Sequence, residues 1–431
     1  MKEFPLSHQT LKQLTSLYPT PFYIYDEKAI RENIQNLKKA FSWNKGFKEY
    51  FAVKTTPNPY ILQIFKEEGC GVDCASETEL MLADSCSFTG KDIMFTSNVT
   101  SVAEFKRALK LNAIINLDDI SHIETLKESA GYTADSQSGL SGKLPEIACL
   151  RLNPGGVITY ENKSILDYDD YKFGLSEEQF IEGIKTLKKC GVKRFGLHSQ
   201  FGCHRREADY FGANARRIFE KAAIIAKETG VQFEFINLAG GLGIPYYEEE
   251  ASADIKAVSQ SIRAAYEEVL DPDGISPVLL YFELGIFMTG PYGYFVSSVL
   301  HKKENTKTFL GLDGSTNSFM SPSRYSNYHH ITVLGKEEEP CDHLYTVTGS
   351  LCENRDRFAS DRYLPAVNPG DILVFHDAGA YTYSHANNFN GKLRPAELLL
   401  RSDGTVRQVR RAETAGDYFS TLDYPIKIEE I

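Results

Sequence analysis

Between about residues 27 and 283 the sequence alternates eight times between a short β-rich run and a helical pattern. The runs are Tyr50 to Val53, Gly71 to Cys74, Asp92 to Ser97, Ala113 to Leu117, Glu146 to Asn153, Lys193 to His198, Phe233 to Leu238 and Val278 to Glu283. Between them, Ile61, Ile64 and Phe65 make one apolar stripe, and Phe180, Ile181, Ile184 and Leu187 another, at helical spacing. Gly69 and Gly191 stand where helix C-caps belong. Eight strand-then-helix repeats predict an α/β fold, a TIM-type (β/α)8 barrel. A doubly wound open sheet is the competing arrangement.

One core does not usually serve 431 residues, so a second domain is expected. After about residue 290 the rhythm changes. YGYFVSSVLHK, KTFLGLD, HHITVLG, HLYTVTGS and DILVFHD are β-rich, and long helical patterns are lacking. FYIYD at 22–26 reads as a strand that joins them. The expected division is a barrel over 27–285 and a β-rich domain formed by 1–26 with 286–431. The polar stretch 128–145 reads as a surface loop.

A net charge of −11 without a basic cluster argues against a nucleic-acid or anionic-membrane partner. No apolar run approaches a membrane span, and the N-terminus has no signal-peptide core. The eight cysteines sit singly, mostly in apolar patterns, as reduced thiols of a cytoplasmic protein do. No metal site is expected: His329 and His330 are adjacent, and neighbours on a strand face opposite ways.

A barrel places its active site at the C-terminal ends of its strands. Lys54 ends the first run, Asp73 and Ser76 the second, Arg151 and Asn153 the fifth, His198 and Gln200 the sixth, and Glu283 the eighth. Ala239-Gly240-Gly241-Leu242-Gly243 follows the seventh. A strand-end lysine can form an imine with an aldehyde, or be a solvated loop residue. A glycine turn can bring N–H groups to a phosphate, or be a tight βα connection. Glu283 can face a ring nitrogen that must stay protonated, or be a salt-bridged rim carboxylate. Taken together, the three specify a pyridoxal phosphate site: anchor, phosphate cradle and pyridinium partner. Two runs in the β-rich part stand out: TGSLCENRDRFASDRYLP, with Cys352, Glu353 and Asp356, and HDAGAYTYSHANNFNG, with Tyr381. A thiol beside carboxylates can serve as a proton donor, or be a buried structural cysteine.

These motifs, from TPFYIYD near residue 20 to LRPAELL near residue 400, resemble the fold-type III, pyridoxal-phosphate-dependent basic amino-acid decarboxylases. Diaminopimelate decarboxylases are the nearest members; ornithine- and arginine-type enzymes are more distant. The resemblance implies an alanine-racemase-like pairing of barrel and β domain, with pyridoxal 5′-phosphate as cofactor. It implies that Lys54 of FAVKTTPNP is the imine-forming lysine. Asp73, Ser76 and Glu79 then lie beside the cofactor, with Arg151 near its ring. Lys172 and Gly174 fall in the family's KFGL, and Gly240 and Gly241 in the phosphate loop. Glu283 matches the acid on the pyridine nitrogen, and Tyr381 a tyrosine at cofactor and substrate. Cys352 matches the proton donor, with Glu353 and Asp356 as substrate-facing acids. The cysteine segment reaches the other subunit's site, so a homodimer with two shared sites is implied.

Three positions depart from the pattern. The arginine of the family's E-P-G-R is Ile286. That of R-P-x-x-Y is Ser321, with Pro322 and Tyr325 kept and Arg324 three residues on. The ring-stacking His of H-x-G-S aligns with Gln200 in Gln200-Phe201-Gly202-Cys203, and His198 lies two residues earlier. Loss of two arginines removes bidentate carboxylate recognition. The expectation is therefore decarboxylation of an amino acid, first meso-diaminopimelate to L-lysine and CO2, with Tyr325 and Arg324 near the substrate. The alternatives are a related amino acid with a different distal group, and a racemase or non-catalytic cofactor-binding homologue.

Overall fold

Each of the eight runs becomes a strand, and the eight close on themselves. The structure, a computed structural model, describes residues 2–133, 142–160, 163–200, 204–272 and 274–428. The middle of the expected surface loop, 134–141, lies outside the described residues. The first strand, β1 (Phe22–Asp26), belongs to the second unit below. The barrel comprises β2 (Lys48–Ala52), β3 (Gly71–Cys74), β4 (Ile93–Ser97), β5 (Ile114–Leu117) and β6 (Ile147–Arg151). An antiparallel hairpin, β7 (Val157–Tyr160) with β8 (Lys163–Asp167), follows β6. The barrel then continues with β9 (Arg194–His198), β10 (Phe233–Asn237) and β11 (Leu279–Phe282). All neighbours are parallel, in the closed order β10-β11-β2-β3-β4-β5-β6-β9. The open sheet is thereby excluded.

Inside the barrel, side chains alternate with the strand pleat. Tyr50, Met94, Ile114, Cys149, Phe235 and Tyr281 form one buried apolar layer. Two strands donate glycine to this layer. A Cβ at Gly196 would lie 2.1 Å from the Phe235 ring, and one at Gly71 2.5 Å from that of Tyr50. The missing side chains make room for the aromatic ones. Burial of each large side chain contributes about 1.5–3 kcal/mol.

The chain divides into two units, Arg31–Ile244 with Ser252–Gly285, and Met1–Ile30 with Pro245–Ala251 and Ile286–Ile431. The second unit holds β12 (Gly293–Glu304), β13 (Thr308–Leu312), β14 (Ile331–Val333), β15 (His343–Thr348) and β16 (Arg357–Leu364). It also holds β17 (Ile372–Phe375), β18 (Ala396–Leu400) and β19 (Val406–Arg410). The main path of the sheet runs β16-β15-β13-β12-β1-β18-β19, with β17 joining β12 to β14. β1 is an interior strand, between β12 and β18, and is covered on both faces. Phe22 and Ile24 enter an apolar cluster with Val296, Val374 and Leu398. On the other face the Tyr23 hydroxyl donates to the Ser318 carbonyl (2.5 Å) and that of Tyr25 to Glu397 (2.6 Å). Among the described residues, no helix is long and apolar enough to cross a membrane, and no cluster of three metal-ligating side chains occurs.

Candidate active site

One pleat beyond the apolar layer, the inward residues turn polar: Asp73, Thr96, Asn116, Arg151, His198, Asn237 and Glu283. The change comes two residues along seven of the eight strands, at the C-terminal ends; on β2 the position is Ala52. Lys54 belongs one pleat further on again. β2 stops at Ala52, and Val53–Thr55 form a 3₁₀ turn that buries Val53 and Thr55 and leaves Lys54 exposed.

Glu283 is buried and anchors the layer. Its Oε1 accepts from the Asn237 amide (2.7 Å), and its Oε2 lies 3.3 Å from His198 Nε2. Burial alone would push its carboxyl upward. His198, Lys54 and Arg151 outweigh that and hold it below the ordinary range, so Glu283 is ionised. A carboxylate has about four acceptor positions, so these two contacts leave capacity on both oxygens. Asp73 takes the opposite direction. Burial first, then the Glu283 charge, push it well up, against Lys54 and a bond from Thr96. Its Oδ1 is buried without a hydrogen-bond partner, as is His198 Nδ1.

Arg151 is fixed from two sides. Its Nη1 donates to Asp118 Oδ1 (2.9 Å), and the guanidinium lies 4.4 Å from the centre of the Phe173 ring. The other oxygen of Asp118 accepts the Gly174 N–H at 3.3 Å, which ties the KFGL loop to the same strand end. Asp118 was not foreseen. The signal was present, a carboxylate directly after β5, on the one pleat that extends the inward Ile114 and Asn116.

The predicted loop residues fall around this layer. Ser76 caps the helix Glu77–Ser85, and Glu79 accepts the Ala75 N–H at 2.6 Å. Gly240 packs directly on the strand end beside it, since a Cβ there would lie 2.6 Å from the Glu283 carbonyl. Gly241 has φ +115°, a conformation side chains oppose. His198 is inside the barrel, whereas the Gln200 carbonyl, beyond the strand, accepts the Tyr168 hydroxyl. Phe201, Gly202 and Cys203 lie outside the described residues.

In the β-rich unit, Cys352 and Glu353 are exposed. Asp356 lies beneath them, inside the loop. It is buried, and it accepts from the Thr316 N–H and hydroxyl (both 2.8 Å) and the Leu351 N–H (2.7 Å). Both oxygens take part in bracing the cysteine loop. Ser321 is likewise internal, bonded to His329 Nε2 (2.8 Å) and Asn327 (3.0 Å). Ile286 is buried in the short helix it opens, Ile286–Thr289. Arg324, Tyr325 and Tyr381 converge on one further residue, His385. Its ring centre lies 6.2 Å from that of Tyr325 and 5.7 Å from that of Tyr381.

A lysine, an ionised strand-end carboxylate and a glycine turn are thus brought to one barrel end. Residues 27–290 match the family model described as pyridoxal-dependent decarboxylase, pyridoxal binding domain. The chain belongs to the pyridoxal-dependent decarboxylases. Among its relatives, protein TabA of Pseudomonas amygdali pv. tabaci is 37% identical over 421 residues, covering 98% of this chain and 94% of that protein. The diaminopimelate decarboxylase of Methanothermobacter thermautotrophicus is 32% identical over 418 residues, covering 96% and 94%. In fold, the diaminopimelate decarboxylase of M. jannaschii in complex with L-lysine superimposes with a TM-score of 0.85 at 28% identity, covering 96% of this chain and 94% of that one.

As a member of this family the protein is a carboxy-lyase with pyridoxal phosphate as its cofactor. The barrel fits that group. Two buried polar atoms, Asp73 Oδ1 and His198 Nδ1, have no protein partner. Glu283 is ionised with acceptor capacity to spare, and Gly240 leaves no Cβ between the turn and the strand end.

Proposed function

We propose that this enzyme decarboxylates a diamino acid, with meso-diaminopimelate, converted to L-lysine and CO2, as the first candidate. The observation that carries the reading is the strand-end layer, in which buried Glu283 is held by Asn237 and His198, and Lys54 emerges one pleat above. The relatives named diaminopimelate decarboxylase support the substrate, and so does L-lysine in the M. jannaschii protein.

Bound pyridoxal phosphate would supply the electron sink that lets the substrate's α-carboxylate leave as CO2. The chain's residues hold and time that event. Lys54 Nζ would anchor the cofactor. Glu283 would hold a proton on the ring nitrogen facing it, and Asp73, Arg151 and His198 would line the ring. Gly240 and Gly241 would offer N–H groups to the phosphate. When CO2 has left, a proton must take its place on the α-carbon. The exposed thiol of Cys352 is the donor in this scheme, with Glu353 beside it. We further propose that two copies pair, so that Cys352 of the partner subunit serves each barrel. A cytoplasmic location fits the free cysteines, Cys70, Cys74, Cys86, Cys149, Cys190, Cys341 and Cys352.

A second reading, a related amino acid with a different distal group, is favoured by one observation. Ile286 and Ser321 stand where the family has arginines, and both are buried in internal packing. Incubation with meso-diaminopimelate, ornithine, lysine and arginine of both hands, with CO2 and amine products measured, decides between them. Consumption of meso-diaminopimelate supports the first reading. If it is untouched while another compound is consumed, the second holds. Bound cofactor without CO2 from any compound would refute decarboxylation.

A further inference from the structure

We propose that Glu49, on the outward face of β2, is a positioning residue for Glu283: it fixes the end of β11 so that the Glu283 carboxylate keeps its place in the layer. The inference rests on the reading above in which Glu283 faces the ring nitrogen. All of its residues belong to the barrel unit.

Glu283 stands one residue past the end of β11. On the β2 side the register holds two pairs, Tyr281 with Lys48 and Phe282 with Glu49. On the β10 side the Glu283 N–H donates to the Ala239 carbonyl (2.8 Å), and Gly240 packs against the Glu283 carbonyl. The next N–H, that of Leu284, donates to Glu49 Oε1 at 2.7 Å. A side chain thus extends the ladder past its last pair. The peptide groups that flank Glu283 are held from both neighbouring strands, one by β10 and the other by Glu49. Leu284 is buried, so without Glu49 its N–H would have no partner and the strand end would have to move to relieve it.

The protonation state of Glu49 suits that task. It is buried, its Oε2 has no hydrogen-bond partner, and no cation pairs with it among the described residues. Burial first, and then the nearby Glu283 and Asp73, push its carboxyl well up, against the bond from Leu284. Glu49 is therefore a neutral acid whose carbonyl oxygen takes the N–H. A neutral acceptor fixes the peptide without setting a second negative charge behind Glu283, which would oppose the ionisation of Glu283. The opposite end of β11 supplies a comparison. There the Asn44 amide donates to the Val278 carbonyl and its oxygen accepts the Leu280 N–H, both at 2.9 Å. Asn44 and Glu49 each complete the backbone of one strand, but only Glu49 does so beside the polar layer.

The test compares wild type with Glu49→Gln, Glu49→Leu, Asn44→Ala and Glu283→Gln. Each protein is stripped of cofactor and titrated with pyridoxal phosphate. Affinity, the visible absorption of the bound cofactor and the melting temperature are read for all. Glu49→Leu keeps the size of the side chain and loses the acceptor. It should bind pyridoxal phosphate about tenfold more weakly, and the absorption of the bound cofactor should move toward that of Glu283→Gln. Glu49→Gln keeps a neutral carbonyl at the same reach and should stay within about threefold of wild type. Asn44→Ala should lower the melting temperature comparably to Glu49→Leu, yet keep wild-type affinity and absorption. Wild-type affinity and absorption in Glu49→Leu, the same losses in Asn44→Ala, or losses in Glu49→Gln equal to those in Glu49→Leu each overturn the proposal. If Glu49→Leu does not fold, Glu49→Asp, whose carboxyl is one carbon–carbon bond shorter in reach, is judged by the same values. If Glu283→Gln itself keeps wild-type affinity and absorption, the reading of Glu283 fails and the role of Glu49 falls with it. If Glu283→Gln changes both and Glu49→Leu changes neither, Glu283 stands and only Glu49 is overturned.

Discussion

The barrel's strand-end layer and the cysteine loop of the β-rich unit both hold ionisable groups, but in opposite states of completion. In the barrel the charges answer one another. Arg151 is locked on Asp118, and Glu283 is held by His198 and Asn237. In the loop, one carboxylate, Asp356, is buried and braces the chain with both oxygens, while Cys352 and Glu353 three to four residues earlier are exposed. A preorganised layer can hold a cofactor without rearrangement. Exposed groups on a braced loop are built to be presented to something else. The difference teaches that neighbours in sequence need not share a role, and substitution can separate the two kinds of residue.

The largest effect is expected at Lys54. Lys54→Ala should lower turnover by about 10³-fold or more. The melting temperature should barely move, because the side chain is exposed. Retained turnover would remove Lys54 from the mechanism. Next come Cys352 and Asp356, which should fail in different ways. Cys352→Ala should cost about 10²-fold or more in turnover and leave stability alone. Asp356→Ala strands three donors and should cost about 3 kcal/mol of stability. Thermal melting and CO2 release on the same two variants check the split. Equal destabilisation by both would erase the contrast drawn above.

The barrel was legible because each run carries its own evidence: β-branched and aromatic residues, then a polar residue as the strand ends. Strand limits moved by a residue or two where turns took over, as at Val53–Thr55. Less legible were β16, β18 and β19. RFASDRYL carries Arg357, Asp361 and Arg362 without a strict alternation, and it is antiparallel pairing with β15 that fixes it as a strand. In the site, Lys54, Arg151 and Glu283 showed themselves by standing at strand ends. Asp118 did not, since its meaning depends on Arg151 reaching it from the neighbouring strand. The bracing by Asp356 was hidden for a related reason. Spacing from Cys352 says that a carboxylate is near, but only the fold shows that Thr316 and Leu351 consume it.

The smallest expected effect concerns pH. In the β-rich unit, His329 and His376 are buried, and burial first pulls them down to about 4 and about 3 respectively. Unfolded, each would titrate near 6.5. Between those values the unfolded chain binds more protons than the folded one, so stability is full above about pH 6.5 and falls as pH drops toward 4. At pH 5.5 the loss is about 1 kcal/mol for each histidine. Asp377, which Lys2 contacts, works the other way. Burial raises its carboxyl to about 6, so the folded state gains relative stability as pH falls through that value. A raw acid scan of wild type therefore mixes opposing contributions. Comparison with His329→Gln cancels the common part. Melting temperatures at pH 7.5 and 5.5 should fall by more in wild type than in the variant, by the equivalent of about 1 kcal/mol. An identical fall in both would mean that His329 takes up the same proton folded and unfolded, so that burial does not hold it down.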